Sequence, residues 1–257
     1  MDRKALDNLA AEERLLLAVA DDKAALAVQR QQPCFTNFLD PGQRALLGRY
    51  AHRWEATIAS WGGFEGAERQ IVAFLPPFID YEPEYPLVAL EVSGNFNFAT
   101  VTHRDYLGSL LALGIKREMV GDILVGDNGC QLLVTPTIAS YVQNNWQAVG
   151  RVGITVTPIP LSHVNPPEPQ EICRSATVAS LRLDAVVAAA YSISRTQAAT
   201  LIRAGKLKHN FLLETRCDKT VAAGDVFSLA GKGRAQLRQV GGQTRKGRWN
   251  ILIARPT

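Results

Sequence analysis

At 257 residues and 47% hydrophobic, the chain can bury a sizeable core and is long enough for two or three domains. Its net charge of +4 conceals a split: residues 174–257 hold 15 Lys/Arg against 4 Asp/Glu, whereas residues 1–173 hold 13 against 20. No run approaches the roughly 20 apolar residues of a membrane span, and four scattered cysteines without C-x-x-C spacing argue against a disulfide framework or a structural zinc site.

The N-terminal stretch MDRKALDNLAAEERLLLAVADD carries acids on both sides of a short apolar run, the wrong shape for a signal peptide. A cytoplasmic protein is expected. Leu6, Leu9 and Leu15–Leu17 support a first helix, and FLDPGQRALLGRYAHRW supplies a second, with Asp40 as N-cap and Pro41 at the first helical position. EATIASWGGFEGAERQIVAFL reads as strand, glycine turn, helix. The turn lacks the G-K-[ST] ending of a phosphate cradle.

Two proline-rich stretches, 74–86 and 163–171, read as stiff connectors. Between them VALEV (88–92) and FATV (98–101) are strand-like. Thr102 with Asp105 starts a helix through Ile115. Strands DILVG and QLLVT flank a hairpin signal at Asn128-Gly129, and a helix from about Thr137 to Val149 precedes the strand RVGITVTPI. This β-α-β-β-α-β order predicts a ferredoxin-like sandwich. QLLV lacks the aromatic residues with which such sheets stack bases. His103 and Asp105 stand two apart, a spacing that does not face them together on a helix. Capping and interface roles therefore suit His103, Arg104 and Asp105 better than catalysis, and isolated His52, His163 and His209 suggest neither metal nor triad.

In the last third, Leu183, Val186, Val187, Ala190 and Tyr191 form one helical stripe. Ser194 caps a second helix whose inner face is Ala198, Leu201 and Ile202, and Gly205 ends it. Strands LKHN, VFSLA, AQLRQV and WNILIA follow, with a turn at Gly224-Asp225 and the connection GGQTRKGR. Nothing between Asp184 and Glu214 is acidic. A one-sign cluster on a rigid surface suits a polyanion, because Lys and Arg neutralise phosphates and release counterions. The candidate RNA-binding residues are Arg182, Ser194, Arg195, Thr196, Thr200, Arg203, Lys206, Lys208, Asn210, Lys219, Lys232, Arg234, Arg245 and Lys246. Asn210 offers an amide to sugar or base, or holds its own turn. Asp184 reads as a helix cap.

RLDAVVAAAYSISRTQAATLIRAGKLKHN resembles the S-four RNA-binding domain, through Arg182-Leu183-Asp184, Ser194-Arg195, Gly205 to Asn210 and Gly224-Asp225. Phe211 stands where most members have glycine, and His209 replaces a valine. THRDYLGSLLALGIKREMVGDILV, FLDPGQR, GGFEGAER and GGQTRKGRW extend the likeness over nearly the whole chain, to the YlmH family of three-part bacterial and plastid proteins. The resemblance implies an α+β fold in three parts: a helix-rich domain at 1–80, a ferredoxin-like domain at 84–162 and an S-four-type domain at 174–257. It implies a non-enzymatic, ribosome-associated protein whose partners are structured RNA (large-subunit ribosomal RNA and tRNA), acting in translation quality control, with no cofactor or metal. A photosystem-labelled branch also exists. The alternatives are a pseudouridine-synthase-like enzyme using the R-L-D aspartate, and a scaffold in cell division or photosystem II assembly.

Overall fold

The computed structural model describes residues 9–79, 81–96, 101–167 and 171–256. Packing divides the chain into two compact units, residues 1–167 and 168–257. The proline stretch at 74–86 lies inside the first unit, and the one at 163–171 spans the division.

The first unit opens with helix α1, Ala11–Arg30. Its buried stripe is Leu17, Ala20, Ala24 and Ala27. Leu6, one of the residues that suggested this helix, lies outside the described residues. Strand β1 (Cys34–Leu39) follows, then α2 (Pro41–Tyr50). As the sequence indicates, Asp40 caps α2: its Oδ1 accepts from Gln43 N at 2.8 Å, and the Gln43 side chain accepts from Asp40 N at 2.9 Å.

The segment after α2 departs from expectation. β2 (Thr57–Trp61) and β3 (Gln70–Leu75) form an antiparallel hairpin, so the stretch read as a helix is a strand. β3 is the centre of a sheet ordered β1–β3–β2, and Ile71, Val72, Ala73 and Phe74 are all buried. A strand covered on both faces loses its alternation, and an apolar run of that kind does not distinguish strand from helix. The glycine turn itself is structural: Asp122 accepts from Glu68 N at 2.6 Å and Arg69 N at 3.0 Å. A Cβ on Gly62 would come within 2.5 Å of Arg69 O.

The second sheet of this unit contains β4 (Val88–Gly94), β5 (Val120–Gly126), β6 (Gly129–Val134), β7 (Ala148–Val149) and β8 (Val152–Ile159), in the order β5–β6–β4–β8–β7. FATV lies largely outside the described residues. Helices α3 (His103–Leu111) and α4 (Pro136–Asn145) place Tyr106, Leu110, Ile138 and Val142 against Leu90, Leu132 and Val134. Strand–helix–strand–strand–helix–strand order is therefore present. On the opposite face, Ala89 and Leu133 pack with Phe38 and Ile71 of the first sheet.

Both helices are shorter than the sequence suggested. α3 stops at Leu111, short of Ile115, and Gly114 has a φ of +81°. α4 stops at Asn145 because buried Trp146 leaves helical geometry, its Nε1 donating to Ser109 Oγ at 3.1 Å. Ala148–Val149, read as helix, instead pairs with Val152–Gly153. The β5–β6 hairpin is shifted one residue from the expected turn: Gly126 pairs with Gly129, leaving Asp127-Asn128 at the tip.

The second unit is a six-stranded sheet with two helices on one face. α5 (Leu183–Tyr191) and α6 (Arg195–Arg203) pack on a sheet ordered β11–β10–β12–β13–β14–β9. These strands are β9 (Glu171–Val178), β10 (Leu207–His209), β11 (Leu212–Leu213), β12 (Val226–Leu229), β13 (Gly233–Gln243) and β14 (Trp249–Pro256). The core joins Leu183, Val186, Val187, Ala198 and Ile202 to Leu207, Phe227, Leu229, Leu237 and Ile253. Burying a side chain of this kind contributes about 1.5–3 kcal/mol. β9 has no counterpart in the sequence reading.

Candidate nucleic-acid interface

The acid-free segment folds into a rigid support. Ser194 Oγ accepts from Gln197 N at 3.1 Å, capping α6, and Gly205 ends that helix with a φ of +66°. Ala198 and Ile202 are buried and Leu201 packs against the core, while Thr196, Thr200 and Arg203 are exposed. Thr200 Oγ1 donates to Thr196 O at 3.0 Å.

The candidate cations fall into two groups. Arg203, Lys206, Lys208, Lys232, Arg245 and Lys246 are exposed, and no ion pair of theirs is found among the described residues. The others are engaged. Arg195 places Nε 3.1 Å from Asp184 Oδ2 and Nη2 3.2 Å from Oδ1, and Arg182 approaches the same carboxylate at 3.3 and 3.4 Å. The Asp184 side chain is 8% exposed, those of Arg195 and Arg182 51% and 42%. The two guanidinium groups are thus anchored at one end and open to solvent. Burial raises the Asp184 pKa, but the bonds from Arg195 and Arg182 outweigh it and hold the carboxyl below its ordinary value. Asp184 does not cap its helix as expected: Arg182 is the N-cap residue, and the Asp184 oxygens face arginines.

Lys219 donates to Glu214 Oε2 at 2.8 Å. Asn210 is engaged on both sides of its amide, donating to Asp225 Oδ1 at 2.8 Å and accepting from Val226 N at 2.8 Å. Asp225 also accepts from Ala222 N at 2.9 Å, and buried His209 places Nε2 2.9 Å from Asp225 Oδ2. That contact is short but not aligned as a hydrogen bond. Arg234 lies over the Phe211 ring, with its Cζ 5.2 Å from the centroid.

Strand register separates the cations spatially. Lys208 pairs with Ser228, and Ser228 with Arg234, so these side chains share the sheet face opposite the helices, whereas Arg195 and Arg203 belong to α6 on the other layer. The single plate that the sequence suggested is therefore two basic surfaces of one small unit. The sequence reading also missed the Phe211–Arg234 contact. Its available signal was a phenylalanine in a turn position where glycine is usual.

In the first unit, Thr102 N and Oγ1 donate to Asp105 Oδ2 at 2.8 and 2.7 Å, which secures the start of α3 and leaves His103 and Arg104 exposed. Arg117 is tied to the carbonyls of Val120 and Gly121 at 2.5 and 3.2 Å. Burial lowers its pKa to about 10. Among the described residues there is no group of three or more His, Cys, Asp or Glu arranged to hold a metal, and no helix long and apolar enough to cross a membrane.

The chain is α+β, and its second unit is compact and basic. Residues 81–163 match the family model described as "Putative RNA-binding domain in YlmH". The chain is 31% identical over 245 residues to "Ribosome-associated protein quality control protein P2" of Bacillus subtilis (strain 168), covering 95% of each. It belongs to the YlmH family. A solved structure, "Cell division protein ylmH from Streptococcus pneumoniae", is similar in fold with a TM-score of 0.50 at 24% identity, covering 60% of this chain and 95% of that one. The matched segment 81–163 lies outside the basic C-terminal unit, a region where the sequence reading named no RNA-binding residue.

Proposed function

We propose that this is a non-enzymatic RNA-binding protein that works on the ribosome, in translation quality control or rescue, and that its second unit is an S-four-type domain gripping ribosomal RNA or tRNA. The observation that carries this is the basic α5–α6 surface, whose single acid, Asp184, is buried. Arg182 and Arg195 are held half-exposed by one buried carboxylate, and Arg203 and Lys206 beyond them have no internal partner among the described residues. A phosphate at the start of α6 would meet Arg195 together with the free N–H groups of the helix end. The name of the Bacillus subtilis relative and the RNA-binding family match support the ribosomal setting. The cytoplasm is the corresponding compartment.

A modifying-enzyme reading needs Asp184 to face a substrate. Its carboxylate is 8% exposed, with both oxygens held by arginine, which favours a positioning role.

Arg195→Glu is a poor test, because it sets a carboxylate against Asp184 and confuses folding with binding. Arg203→Glu combined with Lys206→Glu alters two groups that have no internal partner among the described residues. In filter binding at moderate salt, with ribosomal RNA and with tRNA, the double variant is expected to lose affinity while keeping its circular dichroism. Removing one phosphate interaction should reduce the log–log salt slope by roughly 0.7–0.9. Undiminished affinity for both RNAs would refute the assignment of this surface.

A further inference from the structure

The β10–β11 hairpin turns on two residues, since His209 pairs with Leu212. Both have positive φ: +48° at Asn210 and +66° at Phe211. Asparagine tolerates this conformation, and glycine is the residue that favours the second position. A bulky aromatic there is strained. Core packing does not account for it. Phe211 is half-buried and is not among the apolar side chains packed against the core of this unit. Its ring is matched instead by the Arg234 guanidinium, 5.2 Å from the centroid. Arg234 shares the sheet face of Lys208 and Ser228 through the register Lys208–Ser228–Arg234. Lys208 and Lys232 are exposed.

We propose that Phe211 and Arg234 form a stacking platform for an unpaired RNA base, with Lys208 placed to take an adjacent phosphate. Aromatic rings and guanidinium planes are the two surfaces on which proteins stack splayed-out bases, and stacking tolerates any base because each has a π-face. Cationic flanks suit a phosphate-linked strand. A base inside a duplex has both faces occupied by its neighbours, so the platform selects single-stranded segments, loops and ends. This rests on the RNA-binding reading and adds to it the kind of RNA recognised by the sheet side of the unit, as distinct from the α6 side.

The strain makes the proposal separable from a structural role. Phe211→Gly supplies the residue the turn favours, so the full-length variant should melt no lower than the wild type. Its affinity for a single-stranded RNA of about a dozen nucleotides should nevertheless fall roughly tenfold, and its affinity for the same sequence as a duplex should change by less than about twofold. Phe211→Trp should bind the single strand at least as well as the wild type. Unchanged single-strand affinity in Phe211→Gly overturns the platform and leaves the RNA-binding reading standing, as does an equal loss for strand and duplex. A lowered melting temperature with unchanged affinity assigns the ring to the fold and also overturns the platform. If the wild type binds neither RNA, the RNA-binding reading fails and this inference falls with it.

Discussion

Arg195 and Asp184 meet through two bonds, Nε to Oδ2 at 3.1 Å and Nη2 to Oδ1 at 3.2 Å. Asp184 is the second residue of α5 and Arg195 the first of α6, so the pair ties the starts of two helices and aims a guanidinium outward. Fixing the rotamer of a long side chain before binding reduces the entropy lost on binding.

Asp184→Asn should therefore act twice. The amide loses the charge and turns one of the two oxygens that accept from the arginines into a donor, and about 1–2 kcal/mol of stability should go with it. RNA affinity should fall severalfold although no cation has been removed, because Arg195 and Arg182 are no longer aimed. Urea denaturation and filter binding of the same preparation check both effects.

Acid should weaken the second unit. Burial raises the pKa of Glu214, but bonds from Lys219 and from the Arg216 backbone and side chain prevail and bring it to about 2, from an ordinary value of 4.5. Asp184 is lowered in the same sense. Such carboxylates contribute full stability above their unfolded values. That contribution is lost as pH falls from about 4.5 towards about 2, because the unfolded chain takes up protons first. The loss from Glu214 is at most about 3 kcal/mol, less where solvent screens Lys219 and Arg216. Glu214→Gln should flatten the decline in melting temperature across that interval.

Asn210→Ala should cost about 1–2 kcal/mol. It leaves Val226 N and Asp225 Oδ1 without their partner, and it places alanine at a φ of +48°, where asparagine is better tolerated. Chemical denaturation measures the change directly.

Gly129→Ala should be far more damaging. Gly129 has a φ of +149°, and an added Cβ would lie 1.8 Å from Val92 O, a backbone atom of the neighbouring strand. The β4–β6 pairing must shift to admit it, so a loss of several kcal/mol or failure to fold is expected. Expression and thermal melting distinguish it from Gly126→Ala, whose Cβ would meet nothing within 4 Å.

Local signals in the sequence identified much of this chain. The Asp40-Pro41 helix start, the α5 stripe, the Ser194 cap and the Gly205 stop each follow from residues within one turn of their effect. β3 was misread because its Ile71–Phe74 run is buried on both sides and carries no period. β9 was missed for the opposite reason: most of its residues are exposed, and it is held chiefly by pairing with β14. In the candidate site the basic residues could be named from composition, but their engagement could not. Arg195 and Asp184 are eleven residues apart, and Lys208 and Arg234 share a face only through β12. Such pairings arise from packing and register, which no short window contains.

Leu133 has Phe38 and Ile71 on the side of its sheet that faces away from α3 and α4. With helices below and a second sheet above, that stretch is roofed, and no flat polymer can spread across it. The exposed start of α3, at His103 and Arg104, lies at a rim of this layer. Recognition at a rim depends on a few projecting side chains, so its specificity can change without disturbing the sheet beneath.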